Sequence, residues 1–553
     1  MTPPETYFKD FCEKSLYLKP LHAHMDPQKM RVAVRKILNA KSVFIFGDYD
    51  VDGIVATSQM AELVELMGAT KIETCLPSRY DGYGATLAEI KPKIPDFDLI
   101  VVVDNGTHSQ FLKDVASYDP EGKKFLIIDH HPNKELDFKN YPFVLNPNQD
   151  GDVSTSTGMV INFLYEFAWT INKEKKIFKK DVKKNHLVDL AAMTALSDMI
   201  DLNNGYNRKK VLEGFSKIKQ GGREIFKEIK TGDIHGELAF SLNPEINAVG
   251  RLAESDLINL IPFHLYLTLD SDNRGPERQV FSKTVKVIKA HNALRKEALS
   301  RFSSLAEERI DPSAAINFVF IENAPIGING LIAQKLYEKT KKPSIAMSMN
   351  PYSPGLIVGS GRGHNLKRAL EEIKEQSEGF EFSFGGHIEA LGIQCLYNHL
   401  DKLSIAIGGY KGEALSPLGE GFKDGLLVAD RVLSMEEFME YGKAHERACS
   451  RLPFKTKFFA AVAVEDARII KKYSNGFCKA RLNGIEGLAK INEVANAVRS
   501  LNEGEGIVAL EIPHYTATFS LSIKQIPCEM ARKLKENTAE AEGLFAGTAK
   551  MGA

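Results

Sequence analysis

The chain has 553 residues, of which 43% are hydrophobic and 26% charged, and its formal net charge is −1. This length exceeds what one hydrophobic core usually organises, so we expect about three domains. A near-zero net charge gives no long-range attraction to DNA or RNA, so a nucleic-acid ligand would need a local basic groove. The six cysteines include no C-x-x-C pair, which argues against a disulfide scaffold and a zinc knuckle.

Targeting signals are not visible in the sequence. The N-terminal stretch MTPPETYFKDFCEKS lacks the basic and apolar regions of a signal peptide, and no apolar run is long enough to span a bilayer. Scattered cysteines fit a reducing compartment. We therefore expect a cytoplasmic protein without a membrane partner.

Residues 41–275, after an N-terminal extension at 1–40, alternate short apolar runs with helical stretches. The runs SVFIF, KIETCL, DLIVVV and KFLIID predict strands, and GIVATSQMAELVELMG predicts a helix that ends at Gly68. Strands that alternate with helices indicate a parallel sheet, in which ligands bind at the carboxyl ends of the strands. HLVDLAAMTALSDMIDL, at 186–202, predicts a buried helix.

The sequence after residue 275 indicates four further segments. A helical pattern without Gly or Pro at 278–310 predicts a long bridging helix, to which we assign residues 276–312, followed by a second α/β domain at 313–410. A connector follows at 411–454. Short strands with glycine-bearing turns then predict a small β-barrel at 455–535.

Polar side chains follow three strands of the predicted parallel sheet, and one more lies on the buried helix. They are Asp48, Asp50, Asp104, Asp129, His130, His131 and Asp198. Like charges repel, so burying such a cluster requires compensation. Aspartate and histidine together suit divalent Mn, Mg or Zn. Two such ions could bridge a phosphate oxygen and activate a water.

Simpler interpretations exist for each residue alone. An aspartate after a strand is often a helix N-cap, and Asp52 fits that role ahead of a helix starting at 53. A His pair often only occupies a turn. Four polar clusters at the ends of four apolar segments are better explained together, as a metal site. We also expect the strand-end position of Asp104 to tolerate alanine.

The motifs GDYDVDG, VVDNG and IDHH, with Asp198, resemble the DHH phosphoesterase superfamily. SGRG at 360–363 and FGGH at 384–387 resemble its associated substrate-binding domain. LPSRYDGYG, NRKKVLEG and INAVGRL are similar to the RecJ family of single-stranded-DNA exonucleases. This resemblance implies that two Mn²⁺ or Mg²⁺ ions are held by Asp48, Asp50, Asp104, His130, His131 and Asp198. Asp104 would bridge the ions, and Asp129 would orient the histidines.

The resemblance also implies a substrate site and an activity. Ser360, Arg362 and His387 would hold phosphate, while Arg79 and Arg251 would hold a 5′ end. Without the metal cluster, SGRG is more typical of a plain turn and GGH of a strand-end bend, and either arginine could equally form a structural ion pair. The implied function is a 5′-to-3′ exonuclease that hydrolyses single-stranded DNA to mononucleotides in recombination and repair. Implied partners are single-stranded DNA, a single-strand-binding protein and a RecQ-type helicase. The alternatives are a phosphodiesterase for short oligonucleotides or cyclic dinucleotides, and a non-catalytic DNA-binding replication module.

Two segments depart from the RecJ pattern. ENAPIGING at 322–330 lacks a Trp-His pair, which implies a lost stacking or phosphate contact, and LPFKTKFF at 452–459 opens as in the family and then diverges. The resemblance nevertheless implies that the β region is an oligonucleotide-binding fold. Its interleaved aromatic and basic residues suit single-strand binding, although half or more of the aromatics are expected in a barrel core. They are Phe458, Phe459, Tyr473, Phe477, Tyr515, Phe519, Lys455, Lys457, Lys471, Lys472, Lys479 and Arg481.

Overall fold

The computed structural model divides into two compact units, one spanning Lys19–Ser416 and one that contains Pro417–Ala553. It describes residues 24–411 except 83, 151–152, 201, 203–204, 271, 273–274, 364, 377–378 and 387–389. Beyond these it describes 426–427, 433, 436–441, 443, 458–463, 467–472, 477–482, 485–490, 494, 507–511 and 523–525.

A five-stranded parallel sheet forms the centre of the first domain, which we define as residues 27–268. Its strands are β1 (Ser42–Phe46), β2 (Lys71–Cys75), β3 (Leu99–Val103), β4 (Phe125–Ile128) and β5 (Val144–Leu145), in the order β2-β1-β3-β4-β5. The four predicted strands and their parallel arrangement are confirmed. The fifth strand, only two residues long, has no recognisable pattern in the sequence.

Both faces of this sheet are covered, because alternate strand residues point to opposite sides. Val43 and Ile45 pack into a core with helices α1, α2 and α5, while Phe44 and Phe46 pack with α4 on the other face. The helices are α1 (Pro27–Asn39), α2 (Val51–Leu66), α3 (Leu87–Ile90), α4 (Ser109–Tyr118) and α5 (Thr157–Lys175). Short 3-10 helices span Lys91–Asp96 and Phe138–Asn140.

A helical layer extends the first domain. It contains α6 (Val188–Ser197), α7 (Gly205–Lys219), α8 (Ile234–Glu237), α9 (Asn243–Leu252), α10 (Ser255–Leu260) and α11 (Phe263–Thr268), with a 3-10 helix at Glu224–Phe226 and a π-helix at Leu238–Leu242. Val51, Ile54 and Val55 of α2 pack into the core of this layer. Helix α2 is therefore enclosed between the sheet and the helical layer, as is typical of a helix that is apolar on all sides.

The second domain, residues 317–408, is built on a mixed sheet. Strands β6 (Asn317–Phe320), β7 (Ser344–Met349), β8 (Leu356–Arg362), β9 (Phe382–Gly386) and β10 (Ala390–Leu396) lie in the order β6-β7-β8-β10-β9. Only β6 and β7 pair in parallel. The long helix α12 (Pro276–Arg309) leads into it, and its other helices are α13 (Asn329–Thr340), α14 (Leu366–Glu375) and α15 (Leu400–Gly408), with 3-10 helices at Ile326–Ile328 and Tyr397–His399.

The C-terminal unit contains short strands, as predicted. They are β11 (Leu426–Leu427), β12 (Phe458–Ala463), β13 (Ala467–Lys472), β14 (Phe477–Leu482), β15 (Ile485–Lys490), β16 (Ile507–Glu511) and β17 (Ile523–Gln525). They form two sheets, β11-β12-β16-β17 and β13-β14-β15. The closed barrel stays a prediction, and Lys455, Lys457, Tyr473, Tyr515 and Phe519 lie outside the described residues.

No helix in the described part of the chain combines the length and the apolar character that crossing a bilayer requires.

Specific contacts join the two domains within the unit Lys19–Ser416. The rings of Tyr80 and Tyr352 meet edge-on with centroids 5.1 Å apart, and the Tyr352 hydroxyl donates a hydrogen bond to Glu254. The Asn350 side chain donates to the Tyr80 carbonyl at 3.1 Å. These contacts attach the loop between β7 and β8 to the first domain.

A buried ionic network connects α2 with α6. The Arg223 guanidinium donates to Asp189 at 2.8 Å and to Glu62 at 3.3 Å, and Lys217 donates to Asp189 at 2.9 Å. His186 also pairs with Glu62 at 2.6 Å. Although burial opposes it, Arg223 with His186 lowers the pKa of Glu62 to about 2. The network therefore fixes two helices whose ends carry the candidate site.

Replacing Arg223 with alanine should strongly destabilise the protein. The change would leave the Glu62 and Asp189 carboxylates buried without their main partner, which costs about 3–5 kcal/mol. Arg278→Ala is the matched control, because the Arg278–Glu224 pair lies nearer the surface and such pairs contribute about 0–1 kcal/mol. Thermal unfolding of both variants measures the difference, and equal midpoints would contradict a stabilising network.

Candidate metal centre and phosphate-binding site

The ends of β1 and β3 bring two buried carboxylates to one edge of the sheet. Asp48 is 3% exposed and Asp104 is 2% exposed. The Asn105 side chain donates to the Gly47 carbonyl at 2.9 Å and so ties the two strand ends together. Asp104 adopts a left-handed backbone conformation with φ 63°. Our expectation that this position tolerates alanine stays a prediction, to which the positive φ adds a stability cost because alanine is strained there.

The structure places Asp50, not Asp52, at the N-cap of α2, while both residues belong to candidate metal groups. Helix α2 begins at Val51, and Asp50 is its N-cap, accepting from the Gly53 amide at 3.1 Å. The Asp52 carboxylate instead accepts from the amides of Thr157 and Gly158, at 2.6 and 3.0 Å, at the start of α5. The interpretation of Asp52 as the cap of its own helix is therefore wrong, because this buried side chain binds the first amides of a neighbouring helix, whose N-cap is Ser156.

Asp129 organises the segment that follows β4. Its carboxylate accepts from the Thr107 amide and hydroxyl and from the amides of His130 and His131. It also contacts Nδ1 of His131 at 2.8 Å. Burial opposes both shifts, but the pair lowers the pKa of Asp129 below its usual range and raises the pKa of His131 to about 9. Asp129 is thus placed to orient His131, with Nε2 as its ligating nitrogen.

Three overlapping groups of side chains could each hold a metal ion. Within each group the ligand atoms lie within 4.8 Å of one another. The groups are Asp48, Asp50 and Asp104; Asp104, His130 and His131; and Asp52, His130 and Asp198. Sharing of Asp104 and of His130 links the groups into one continuous centre, which is an arrangement suited to more than one ion.

His130 lies at the middle of this centre. Its Nε2 is 3.4 Å from both Asp104 and Asp198, and 3.8 Å from Asp52. Burial, followed by the charge of His131, lowers the pKa of His130, which keeps the ring neutral as a metal ligand requires. Asp198 reaches the group from the C-cap of α6.

The carboxylates lack sufficient positive charge among the described residues. Burial, followed by the charge of Asp50, raises the pKa of Asp48 to about 7. Burial and then Asp52 raise the pKa values of Asp104 and Asp198 well above the usual range. The Oδ1 atom of Asp48 is buried without a hydrogen-bond partner in the described structure. A divalent cation would neutralise these charges and satisfy this oxygen, so the donor set fits the predicted metals.

A cluster of arginines adjoins the carboxylates between the two domains. The Arg79 guanidinium lies 4.1 Å over the Tyr49 ring and donates to the Gly250 carbonyl at 3.1 Å. Arg251 donates to the Gly327 carbonyl at 2.8 Å. Burial, then Arg79, lowers the pKa of Arg251 to about 9, with Arg295 and Arg362 adding to the effect and Asp50 opposing it.

Ser360 and Arg362 of β8 lie beside the start of α13. A Cβ atom at Gly330 would approach Nη2 of Arg362 to 2.7 Å and Oγ of Ser360 to 3.5 Å, so glycine leaves the space that the guanidinium fills. Arg362 is also near Arg79, whose charge lowers its pKa after burial. His387, the remaining predicted phosphate ligand, lies outside the described residues.

Sequence reasoning missed three residues at the site. Asp52 alternates with Asp48 and Asp50, a spacing that was visible but was interpreted as a cap. The Thr157 hydroxyl donates to Asp104 at 2.9 Å, yet STSTG carries no motif that would indicate it. Arg295 lies within a regular helical pattern. Its position relative to Arg251 depends on tertiary structure.

Comparison with known proteins agrees with this geometry. Residues 42–194 match the DHH family, N-terminal domain. The chain carries a DHH domain. Superposition on the crystal structure of RecJ in complex with Mn²⁺ from Thermus thermophilus gives a TM-score of 0.65, with 18% identity, and covers 93% of this chain and 72% of that one. The DHH domain and the mixed second sheet therefore share the RecJ fold.

Two curated relatives are similar over most of the chain. Both are named single-stranded-DNA-specific exonuclease RecJ. The protein from Dickeya dadantii (strain 3937) is 26% identical over 420 residues, which are 70% of this chain and 69% of the relative. The protein from Bacillus subtilis (strain 168) is 27% identical over 376 residues, which are 65% of this chain and 44% of the relative. The predicted RecJ resemblance is confirmed.

Asp104→Asn should abolish metal binding at the shared carboxylate. Asparagine tolerates positive φ and can still accept from Thr157, so the fold should survive. Because the pKa of Asp104 is raised, its charge destabilises the metal-free fold as pH rises through that pKa. The variant should then melt above the wild type in EDTA at neutral pH. Adding Mn²⁺ should raise the melting temperature of the wild type much more than that of Asp104→Asn.

The effect on turnover should exceed about 100-fold, since changes outside the ligand shell already lower activity about 10–100-fold. Asp104→Ala should lose activity equally and should be less stable than Asp104→Asn, by about 1–2 kcal/mol, because alanine is strained at positive φ. Equal stabilisation of Asp104→Asn and wild type by Mn²⁺ would contradict the metal assignment.

Gly250→Ala should displace the loop that carries Asp48 and Asp50. A Cβ atom at Gly250 would lie 1.7 Å from the Tyr49 carbonyl oxygen, so the backbone must shift. Overpacking of this kind costs about 1–3 kcal/mol. Gly232→Ala is the control, because a Cβ atom there meets no atom within 4 Å. Melting temperature and Mn²⁺ affinity should fall only in Gly250→Ala, and two unchanged variants would show that the loop accommodates the clash.

Proposed function

We propose that the chain is a metal-dependent exonuclease that removes mononucleotides from the 5′ end of single-stranded DNA. The observation that carries the proposal is that two clusters of opposite charge lie side by side. The linked Asp and His groups adjoin the arginines of the interdomain region. A phosphodiester needs both, since its bridging and non-bridging oxygens develop negative charge that cations stabilise.

Mn²⁺ or Mg²⁺ held by the Asp and His groups would supply Lewis-acid activation of water and of the phosphoryl oxygen. The protein's own residues then set the geometry. Asp129 orients His131, Thr157 orients Asp104, and the amides of α5 orient Asp52. Packing of α2 against the sheet and of α6 against α2 keeps these side chains together despite their mutual repulsion.

The arginine cluster supports recognition of a strand end. Arg79 is near Asp48, and Arg251 is near Asp50, so a phosphate held by these arginines would lie next to the metal centre. The residues close to these arginines in sequence, Tyr80 and Glu254, both contact Tyr352 and so join the two domains. These contacts would limit how far a strand extends past the arginines, which favours cleavage of the first phosphodiester over an internal one.

Two other functions use the same residues differently. A phosphodiesterase for short oligonucleotides or cyclic dinucleotides would use the same metal centre. A non-catalytic DNA-binding module would not need the shared Asp104 and His130 groups. The RecJ names of both relatives favour the exonuclease.

The similarity to RecJ also supports a cellular setting as part of the proposal. It suggests cytoplasmic DNA recombination and repair, with single-stranded DNA as the macromolecular substrate. A single-strand-binding protein and a RecQ-type helicase are the corresponding candidate partners. The predicted grip of the β region on single strands belongs to the same proposal, and exposed Lys472 of β13 would contribute to it.

The test uses full-length protein with Mn²⁺ and single strands labelled at the 5′ or 3′ end. Removal from the 5′ end releases a labelled mononucleotide at once from the first substrate and gradually shortened products from the second. EDTA and Asp104→Asn should prevent both. Double-stranded DNA, RNA strands and a cyclic dinucleotide complete the comparison.

The outcomes separate the candidate functions. Degradation that starts at the 3′ label would overturn the polarity, and hydrolysis confined to very short or cyclic substrates would support the phosphodiesterase instead. Binding without hydrolysis under all metal conditions would favour the non-catalytic module.

A further inference from the structure

Helix α12 crosses from the first domain to the second with one face turned inward. Ile288 packs into the helical layer of the first domain, and Phe302 packs into the core beneath the second sheet. The positions 288, 292, 295, 299 and 302 are spaced by four and three residues, so they follow one side of the helix. Arg295 is the charged residue of this inward row, at the point where the helix passes between the two cores.

Arg295 is close enough to Arg251 for their charges to interact. Burial and then Arg79 lower the pKa of Arg251, Asp50 opposes them, and Arg295 and Arg362 lower it further. None of these four arginines forms an ion pair with a carboxylate within the described parts of the chain. Asp48 and Asp50 act on Arg79 and Arg251 without forming ion pairs with them, so repulsion among the arginines is only partly offset and favours binding of a further anion.

A neutral side chain fixes the orientation of Arg295. Its Nε and Nη2 atoms both donate to Oδ1 of Asn292, at 3.2 and 2.8 Å, one turn earlier on the helix. Asn292 is buried. An amide oxygen aligns the guanidinium without neutralising it, so the full positive charge and the Nη1 edge remain to meet an anion.

We propose that Arg295 is a further substrate-binding residue, which donates hydrogen bonds to a phosphate group of the bound strand between the two domains. The inference rests on the proposed function and adds the bridging helix to its binding surface. The ligand is a phosphate, either the terminal monoester or a phosphodiester of the strand. A planar guanidinium held at a fixed angle suits both, since it can bond two phosphate oxygens at once.

The binding experiment uses the full chain in EDTA, so that hydrolysis does not interfere. Fluorescence anisotropy is measured with 3′-labelled oligonucleotides that carry either a 5′ phosphate or a 5′ hydroxyl. Arg295→Gln should weaken binding about 10–100-fold, as expected for loss of a charge-assisted contact, and Arg295→Lys should recover part of it. Arg301→Gln is the matched control, because Arg301 is an exposed arginine on the same helix.

Asn292→Asp separates a binding role from a structural one. The aspartate would keep both hydrogen bonds to Arg295 while neutralising its charge. If Arg295 only stabilises the helix, this variant should bind DNA as the wild type does. If Arg295 holds phosphate, the variant should bind more weakly with an unchanged or higher melting temperature, and it remains informative should Arg295→Gln fail to fold.

The two oligonucleotides distinguish the source of the phosphate. Loss of the preference for the 5′-phosphorylated strand assigns Arg295 to the terminal phosphate, whereas equal weakening for both strands assigns it to a phosphodiester. Arg295→Gln and Asn292→Asp binding as tightly as Arg301→Gln would overturn the inference. Wild-type protein that neither binds nor degrades single strands would instead overturn the proposed function itself.

Discussion

Mutual repulsion among buried aspartates is the constraint on which the rest of this structure depends. Asp48, Asp52, Asp104 and Asp198 come from two strand ends and two helices, and burial raises the pKa of three of them. Asp129, equally buried, is different, since amides, a hydroxyl and His131 satisfy it. One carboxylate is thus neutralised by the protein, and the others are left to cations. The contrast divides the acidic residues into a positioning group and a ligating group.

The surrounding packing keeps that repulsion from separating the elements. Helix α2 has apolar contacts to the sheet on one side and to the helical layer on the other. Arg223 and Lys217 bind its Glu62 and the Asp189 of α6 away from the centre. Asp52 accepts the first amides of α5, where the helix dipole favours negative charge. The favourable free energy of these contacts offsets the repulsion among the carboxylates at the strand ends.

The hydrophobic pattern of the sequence was sufficient to predict those helices and strands whose burial follows from their own residues. The four apolar runs of the first sheet are confirmed as strands, and the helix predicted at 276–312 is observed at Pro276–Arg309, because each has one dominant period. The antiparallel pairing of β8, β9 and β10 was not predictable, since a short apolar run indicates a strand but not the direction of its partner. Asp52 and Arg295 were misjudged or missed for a related reason. The sequence around Asp52 does not show whether its carboxylate binds amides of its own helix or those at residue 157. Likewise, the sequence around Arg295 does not show whether this arginine faces the protein or the solvent.

Placing the cations and the carboxylates on separate elements has a consequence for assembly of the site. Arg79 and Arg251 belong to the first domain, Arg362 to the second and Arg295 to the helix between them. Glycines at 250, 327 and 330 allow these elements to approach closely, since a Cβ atom at each would meet a neighbouring atom within 2.7 Å. Close approach brings like charges together on the arginine side just as folding does on the aspartate side. A phosphate bound to the arginines and divalent cations bound to the aspartates would relieve the repulsion in both clusters. Substrate and metal binding should therefore reinforce each other through the interdomain region, without any direct bond between an arginine and an aspartate.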